Sequence, residues 1–413
     1  MSRADQPGTA EHAAWLSIVG IGADGVESLS RAAQRAIGSA ELVVGSERQL
    51  GYVQSLVRGE RMAWPSPMSP AIDKIFARRG RATCLLASGD PFFFGIGATL
   101  APRLVRGEFI CYPAPSSISL AASRLGWPLQ DVDVVSLHGR RLDEFRRYLQ
   151  PGRKVIALSW DRRTPAELAE LLAARGFGGS TVHVLESLGA EGERIRTAAA
   201  AELRFGDVAD LNLVAVELRA EQGVLVIPSC AGLPDRAFEN DGRLTKLEVR
   251  AITLSALAPR PGLLLWDVGA GAGSIAIEWM LAHRTCSAIA IERDAERCGR
   301  IRNNAASLGV PGLEIIEAAA PNGLQGLATP DAIFIGGGAS DPGTVDACWR
   351  ALRSGGRLVV NSVSLETEEI VLKSYRAWGG ELRRIAIETA VPLGAMTGWR
   401  PAMPIVQWRA VKP

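Results

Sequence analysis

Apolar positions in this 413-residue chain gather into short runs that stop at glycine, serine or an acid, and amphipathic stretches separate one run from the next. The clearest case is Leu263-Leu264-Leu265-Trp266-Asp267-Val268-Gly269-Ala270-Gly271-Ala272-Gly273-Ser274. A strand buried on both faces needs a continuous apolar run, and glycines at its end let backbone N–H groups approach a ligand that a Cβ would keep away. The pattern therefore predicts a buried parallel strand turning sharply into a helix. Ala288-Ile289-Ala290-Ile291-Glu292 predicts a second such strand, with its terminal acid nineteen residues beyond Gly273. That spacing suits a carboxylate accepting hydrogen bonds from ribose hydroxyls across the crevice of a doubly wound sheet. The order Asp-x-Gly-x-Gly-x-Gly, as opposed to Gly-x-Gly-x-x-Gly, favours S-adenosylmethionine (SAM) over NAD.

The same grammar recurs from the start of the chain. Residues 15–19 form an apolar run ending in Gly20-Ile21-Gly22-Ala23-Asp24-Gly25. Residues 82–87 run into Ser88-Gly89-Asp90-Pro91, followed by Phe92, Phe93, Phe94 and a helix to about Val105. Residues 109–112 lead to Ala114-Pro115-Ser116-Ser117, where either serine can cap a helix. Three strand ends of this kind gather at one edge of an open α/β sheet and line one cleft. Packing into the core is the competing expectation for at least one of the three phenylalanines. Further strands are predicted at 132–137, leading to His138-Gly139-Arg140-Arg141, and at 154–160, 182–186 and 211–218, with a helix from 164 capped by Thr164.

Residues 220–245 lose the pattern and read as a linker rich in proline, glycine, asparagine and aspartate. A helix then opens at Thr245, with Glu248 at the capping-box position. Strand and helix alternate to the end, where 381–388 and 404–410 read as two strands with no helix between them. The expected fold class is α/β: a two-lobed domain at 1–219, with lobes at about 15–140 and 141–219, then a Rossmann-like domain at 246–413. Its mostly parallel sheet would end in an antiparallel strand, which separates SAM-dependent methyltransferase sheets from dinucleotide-binding ones.

Composition narrows the function classes. A net charge of +2 demands no nucleic-acid partner. Six cysteines without Cys-x-x-Cys spacing read as reduced thiols of a cytoplasmic protein, and four scattered histidines give no reason to expect a metal. No apolar run reaches eighteen residues, so neither a membrane span nor a membrane partner is expected.

Taken together, Val19-Gly20-Ile21-Gly22, Ser88-Gly89-Asp90-Pro91-Phe92-Phe93 and Pro115-Ser116-Ser117 resemble the tetrapyrrole (corrin and porphyrin) methylase family. Leu244-Thr245-Lys246-Leu247-Glu248-Val249-Arg250, the glycine run at 266–274, Ile335-Gly336-Gly337-Gly338 and Asn361-Ser362-Val363-Ser364-Leu365-Glu366 are similar to the decarboxylating methyltransferases that act with them. End to end, the chain resembles the family of bifunctional precorrin-6Y C5,15-methyltransferases (decarboxylating) of aerobic cobalamin biosynthesis. The resemblance implies methylation of one precorrin at C5 by the N-terminal half and at C15 by the C-terminal half, with loss of the ring C acetate as CO2 (precorrin-6B to precorrin-8X). It also implies two SAM sites and a homo-oligomer.

For the first SAM site the resemblance implicates Gly20, Gly22, Ser88, Gly89, Asp90, Phe93, Ser116 and Ser117. For the second it implicates Thr245, Gly269, Ala270, Gly271, Ala272, Gly273, Glu292 and Ala320. Ala23 stands where many tetrapyrrole methylases have proline. Glu317-Ala318-Ala319-Ala320-Pro321 lacks the Gly-Asp-Ala-Pro of many relatives, so backbone groups around Ala320 would serve the adenine end. A macrocycle rich in carboxylates calls for guanidinium and ammonium groups, and Arg140, Arg141, Lys246 and Arg250 are the candidates, each with a plain surface charge as the alternative. His138 could donate to a carboxylate or pass a proton, or serve as a structural histidine at a strand end. With Lys246 and Arg250 it completes the candidates for catalysis. Asp267 is expected to order the glycine loop. Two rivals remain: a methyltransferase acting on RNA, protein or another small molecule, and a chain whose N-terminal half only binds a tetrapyrrole. Ile335-Gly336-Gly337-Gly338 lacks the Asn-Pro-Pro-Tyr character expected of the first.

Overall fold

The structure, a computed structural model, describes residues 14–228 and 230–413. The chain divides into two compact units, 1–139 with 152–221, and 140–151 with 222–413.

The first unit holds two five-stranded sheets. Strands β1 (Leu16–Ile21), β2 (Leu42–Gly45), β3 (Glu60–Ala63), β4 (Thr83–Ser88) and β5 (Phe109–Tyr112) form the first, in the order β3-β2-β4-β1-β5. Every pairing in it is parallel. The apolar runs are continuous because both faces are covered: Leu16, Ile18, Leu42, Val44 and Leu85 pack on one side with Ile75 and Leu100. Val19, Ile21, Val43, Cys84 and Leu86 pack on the other with Ala33 and Ile37. The second sheet has the order β6-β7-β10-β8-β9, from β6 (Val132–Ser136), β7 (Lys154–Leu158), β8 (Thr181–Glu186), β9 (Arg194–Ala199) and β10 (Asn212–Glu217). Only β6 with β7 is parallel there.

The second unit is built on β11 (Leu264–Val268), β12 (Ser287–Glu292), β13 (Glu314–Glu317), β14 (Ala332–Ile335), β15 (Arg357–Ser362), β16 (Glu381–Ile385), β17 (Glu388–Leu393), β18 (Met396–Pro401) and β19 (Ile405–Val411). Seven of them form one sheet, β13-β12-β11-β14-β15-β19-β16, parallel as far as β15 and antiparallel beyond it. Trp349, Trp378 and Trp408 stack at its antiparallel end, the first two with ring centroids 4.7 Å apart and ring planes nearly parallel.

Several expectations change. Between the last two strands of the large sheet lies a separate hairpin, β17-β18, which pairs only with itself. The predicted linker at 220–245 is irregular yet packed into the second unit: Ile227, Leu233, Phe238 and Leu244 are buried in its core with Leu254 and Trp279. The lobe boundary near 140 also moves, because 140–151 belongs to the second unit. There Arg146 and Arg147 donate to the carbonyls of Ala306 and Met280 at 3.2 Å each, and Gln150 to that of Ile227 at 2.9 Å. Thr164 is the first residue of its helix (Thr164–Ala174), and the N–H groups of Arg163 and Thr164 are received by Asp161. All six cysteines are free thiols.

Candidate active sites

In the first unit the carboxyl ends of β1 and β4 and the loop after β5 meet backbone to backbone. Gly89, at φ +63°, donates its N–H to the Ile21 carbonyl at 3.1 Å, and its own carbonyl accepts from Ala114 at 3.4 Å. A Cβ on Gly20 would stand 2.0 Å from the Gly89 oxygen, and one on Gly89 2.8 Å from the Ser116 Cα. Glycine is required at both places for the loops to touch. Ser116 caps the helix Ser117–Leu125, its Oγ accepting from Ser119 N–H at 3.1 Å. These turns form one wall of a cavity of about 420 Å³ whose opposite wall is the second sheet, through Ser136, Leu158, Leu185, Asn212 and Leu213.

In the second unit the glycine turn after β11 forms a smaller cavity of about 280 Å³. A Cβ on Gly269 would lie 2.5 Å from the Gly337 oxygen, so the turns after β11 and β14 also meet as bare backbone. Glu292, 4% exposed at the end of β12, accepts from Gly271 N–H at 2.9 Å through one oxygen and from Asp294 N–H at 3.1 Å through the other. Each oxygen keeps a further acceptor position, as a ribose diol requires. Asp267 is buried behind the turn. One oxygen accepts from Ala276 N–H at 3.0 Å and the other has no partner among the described residues. Burial pushes its carboxyl up to about 7, against the lowering effect of the Ala276 N–H, with the charge of Glu292 adding to the rise.

Each unit thus carries a glycine-lined cavity at the carboxyl edge of its parallel strands. A precorrin-6Y C(5,15)-methyltransferase (decarboxylating) from Sinorhizobium sp is 53% identical over 398 residues, covering 96% of each chain. The chain belongs to the precorrin-6Y C5,15-methyltransferase (decarboxylating) family. Family models agree, with "Tetrapyrrole (Corrin/Porphyrin) Methylases" matching residues 16–204 and "Precorrin methyltransferase domain" residues 236–412. A cobalt-precorrin-7 C(5)-methyltransferase from Salmonella typhimurium is 33% identical over 180 residues, 44% of this chain and 88% of that one. Among solved structures, the C-terminal domain of precorrin-6Y C5,15-methyltransferase from Rhodobacter capsulatus is 42% identical at a TM-score of 0.43, covering 45% of this chain and 100% of that one.

As a precorrin-6Y C5,15-methyltransferase family member the chain is a SAM-dependent methyltransferase, and the predicted SAM residues divide by position. Gly22, Ser88, Gly89, Phe93, Ser116 and Ser117 line the first cavity, as does His138, a candidate for catalysis. Gly20 and Asp90 shape it from behind, Asp90 by accepting from Phe92 N–H at 2.8 Å. None of Phe92, Phe93 and Phe94 enters the core: each is 39–43% exposed, and the last two line the cavity. Gly269, Gly271, Glu292 and Ala320 line the second cavity, whereas Ala270, Ala272, Gly273 and Thr245 do not. Gly273 instead admits Ile301, whose Cγ2 would be 2.9 Å from a Cβ there.

The cation candidates need correction. Arg250 is wholly buried, its Nε donating to Glu278 at 2.6 Å, with Asp235 and the Leu233 and Thr245 carbonyls as further acceptors. It is therefore a structural pin, out of a substrate's reach. Lys246 pairs with Asp235 at 3.5 Å and lines neither large cavity. The helix Leu247–Leu257 has Lys246 at its N-cap and no side-chain cap bond, so neither Thr245 nor Glu248 caps it. Arg140 and Arg141 are exposed and paired with Glu144 and Asp143 of their own segment. Asn361 is tied to Thr253 and Gln407 at 2.9 Å each. Arg243, Arg293, Arg297 and Asp341, absent from the sequence-based expectations, line the second cavity. Arg48, Gln49 and Tyr52, equally absent, line the first. No cluster of ligating side chains suited to a metal occurs among the described residues, and no described helix is long and apolar enough to cross a membrane.

Proposed function

We propose that this chain methylates one precorrin macrocycle twice, at C5 in the N-terminal unit and at C15 in the C-terminal unit, with loss of CO2 from the ring C acetate. The observation that carries the reading is the repeated construction: in each unit, a cavity walled by glycine turns at the carboxyl edge of a parallel sheet. Bound SAM supplies an electrophilic methyl group, and an electron-rich ring carbon is the nucleophile. The protein's work is to orient and desolvate. Alignment of two bound reactants removes on the order of 7–11 kcal/mol of barrier at best, so the reading needs no catalytic triad. In the second unit Glu292 holds Gly271 and offers its remaining acceptor positions to a ribose, while amides around Ala318-Ala319-Ala320 serve the adenine.

A homo-oligomer in the cytoplasm is part of the proposal. The exposed apolar side chains on and beside the β17-β18 hairpin, Leu393, Met396, Trp399 and Met403, support self-association. Light scattering of the intact chain tests it.

Calorimetric SAM binding tests the two centres. Blocking substitutions belong at exposed lining residues with ordinary backbone, Ser117→Arg for the first cavity and Ala319→Arg for the second. Two SAM per chain, each lost with its own variant, is the expected result. One SAM, lost only with Ala319→Arg, would make the N-terminal unit a binding module and refute the two-centre reading.

A further inference from the structure

The first cavity has a charge pattern that its SAM role does not explain. Among the described residues no aspartate or glutamate lines it, and the basic side chains that do are Arg48 and His138, amid the hydroxyls of Tyr52, Ser88, Ser116, Ser117, Ser136 and Ser159. Arg48 is exposed and pairs with no carboxylate among the described residues, whereas Arg140 and Arg141 are neutralised within their own segment. A free guanidinium in a cavity without acids is poorly matched to a sulfonium, which is itself a cation. It matches a carboxylate, which it grips with two parallel N–H donors.

Its place is fixed by its neighbours. The helix Glu47–Tyr52 follows β2 directly and carries a full capping box: Ser46 Oγ accepts from Gln49 N–H, and Gln49 Oε1 from Ser46 N–H at 2.8 Å. The same glutamine donates through Nε2 to Ser88 Oγ at 3.0 Å, which ties the helix to the end of β4. Arg48 is thus carried on a short helix fastened at two points to the sheet edge that forms the cavity wall. Trp160, 57% exposed, stands with its ring 6.2 Å from that of His138, and Phe93 and Phe94 present apolar surface at the same cavity.

We infer that Arg48 anchors an acetate or propionate carboxylate of the tetrapyrrole in the N-terminal unit, and so positions the macrocycle for methylation at C5. The inference rests on the two-centre reading above and assigns the substrate side of its first site.

The test uses the full chain as wild type, Arg48→Ala and Arg48→Lys. For precorrin-6B, Arg48→Ala is expected to raise the KM of C5 methylation about tenfold to a hundredfold, the equivalent of one charge-assisted hydrogen-bonded pair, with kcat changed by less than about threefold. At substrate concentrations well below the raised KM its product should carry the C15 methyl group and largely lack the C5 one, SAM affinity should stay within about twofold, and Arg48→Lys should recover part of the loss. Uroporphyrin III binding, followed by quenching of protein fluorescence, gives a readout free of catalysis. The octacarboxylate should lose affinity in Arg48→Ala, and its octamethyl ester should bind wild type and variant alike. An unchanged KM and unchanged uroporphyrin affinity would overturn the assignment, as would a loss of SAM affinity matching the loss of substrate. A wild-type chain that makes no C5-methylated product refutes the two-centre reading instead, and the uroporphyrin comparison then still decides on Arg48.

Discussion

Replacing Arg250 by alanine should unfasten the second unit long before it alters any chemistry. The guanidinium is fully buried, and Glu278, with a side chain only 3% exposed, loses its cationic partner when Arg250 goes. Glu278 would keep the N–H groups of Gly232 and Leu233, at 2.6 and 2.9 Å, but a buried carboxylate held by two amides remains uncompensated. The carbonyls of Leu233 and Thr245 lose their donor, and the ring of Phe238 loses the cation 4.8 Å from its centroid. Breaking a buried pair from one side costs about 3–5 kcal/mol. For a unit of this size that is a fall in melting temperature of about 10 °C, at roughly 2–4 °C per kcal/mol. Because two units make a single unfolding free energy ill-defined, the reporter should belong to one of them. The stacked Trp349, Trp378 and Trp408 all belong to the second unit and should supply such a reporter in near-ultraviolet circular dichroism, identified as the part of the signal lost with Trp349→Phe. Urea unfolding followed there should shift for Arg250→Ala, and Arg250→Met with Glu278→Gln should recover more than half the loss, since it removes both charges together. A single-variant loss below about 1 kcal/mol, accompanied by a fall in kcat, would refute the structural role and restore Arg250 as a candidate for catalysis.

Glu292→Ala should weaken SAM binding at the second centre by about tenfold to a hundredfold, because the Gly271 N–H loses its acceptor together with any ribose contact; calorimetry in the Ser117→Arg background isolates that centre. Asp267 titrates near 7 when folded against about 3.9 when unfolded, so the folded state holds a proton that the unfolded state has released between those values. Its contribution is therefore fully present below about pH 4 and is lost as pH rises through 7. Asp267→Asn should flatten the decline in stability toward alkaline pH, visible in melting curves from pH 5 to 9, and a decline of unchanged slope would show that this carboxyl is not its source. Alkylation with iodoacetamide should modify the exposed Cys230 first. Cys84 and Cys348, pushed up to about 12 by burial, should stay unmodified until the chain unfolds, as peptide mass mapping would reveal.

The elements that could be read from the sequence were those whose burial leaves a continuous mark. β1, β4, β11, β12 and β15 are apolar on both faces, and each stops at or just before a glycine, a serine or an acid. β3, with Glu60 and Arg61 exposed, and β9, with Arg194 exposed and Arg196 beside it, are edge strands, so no run of apolar residues announces them. The β17-β18 hairpin contains Pro392, Gly394 and Gly398 and is largely exposed on both faces, which removes the alternation that would have revealed it. Glycine turns located both cavities because close backbone approach admits only one residue type. Arg250 misleads for the complementary reason: whether it is free depends on partners far along the chain. Glu278 lies 28 residues from Arg250, and Asp235 lies in a stretch that reads as linker. Arg48 was missed in a polar segment where nothing distinguishes it from a solvated side chain until the cavity is seen.

The passage of residues 140–151 into the second unit bears on how this protein can be divided. The backbone goes from the first unit to the second, returns and goes back again, so a single cut near residue 221 does not yield two finished pieces. The N-terminal fragment would carry away Phe145 and Leu149, side chains buried in the intact chain, and the C-terminal fragment would lose the segment that covers Ala306 and Met280. Two such fragments produced in one cell should therefore copurify through residues 140–151, and Arg146→Ala with Arg147→Ala should weaken that association.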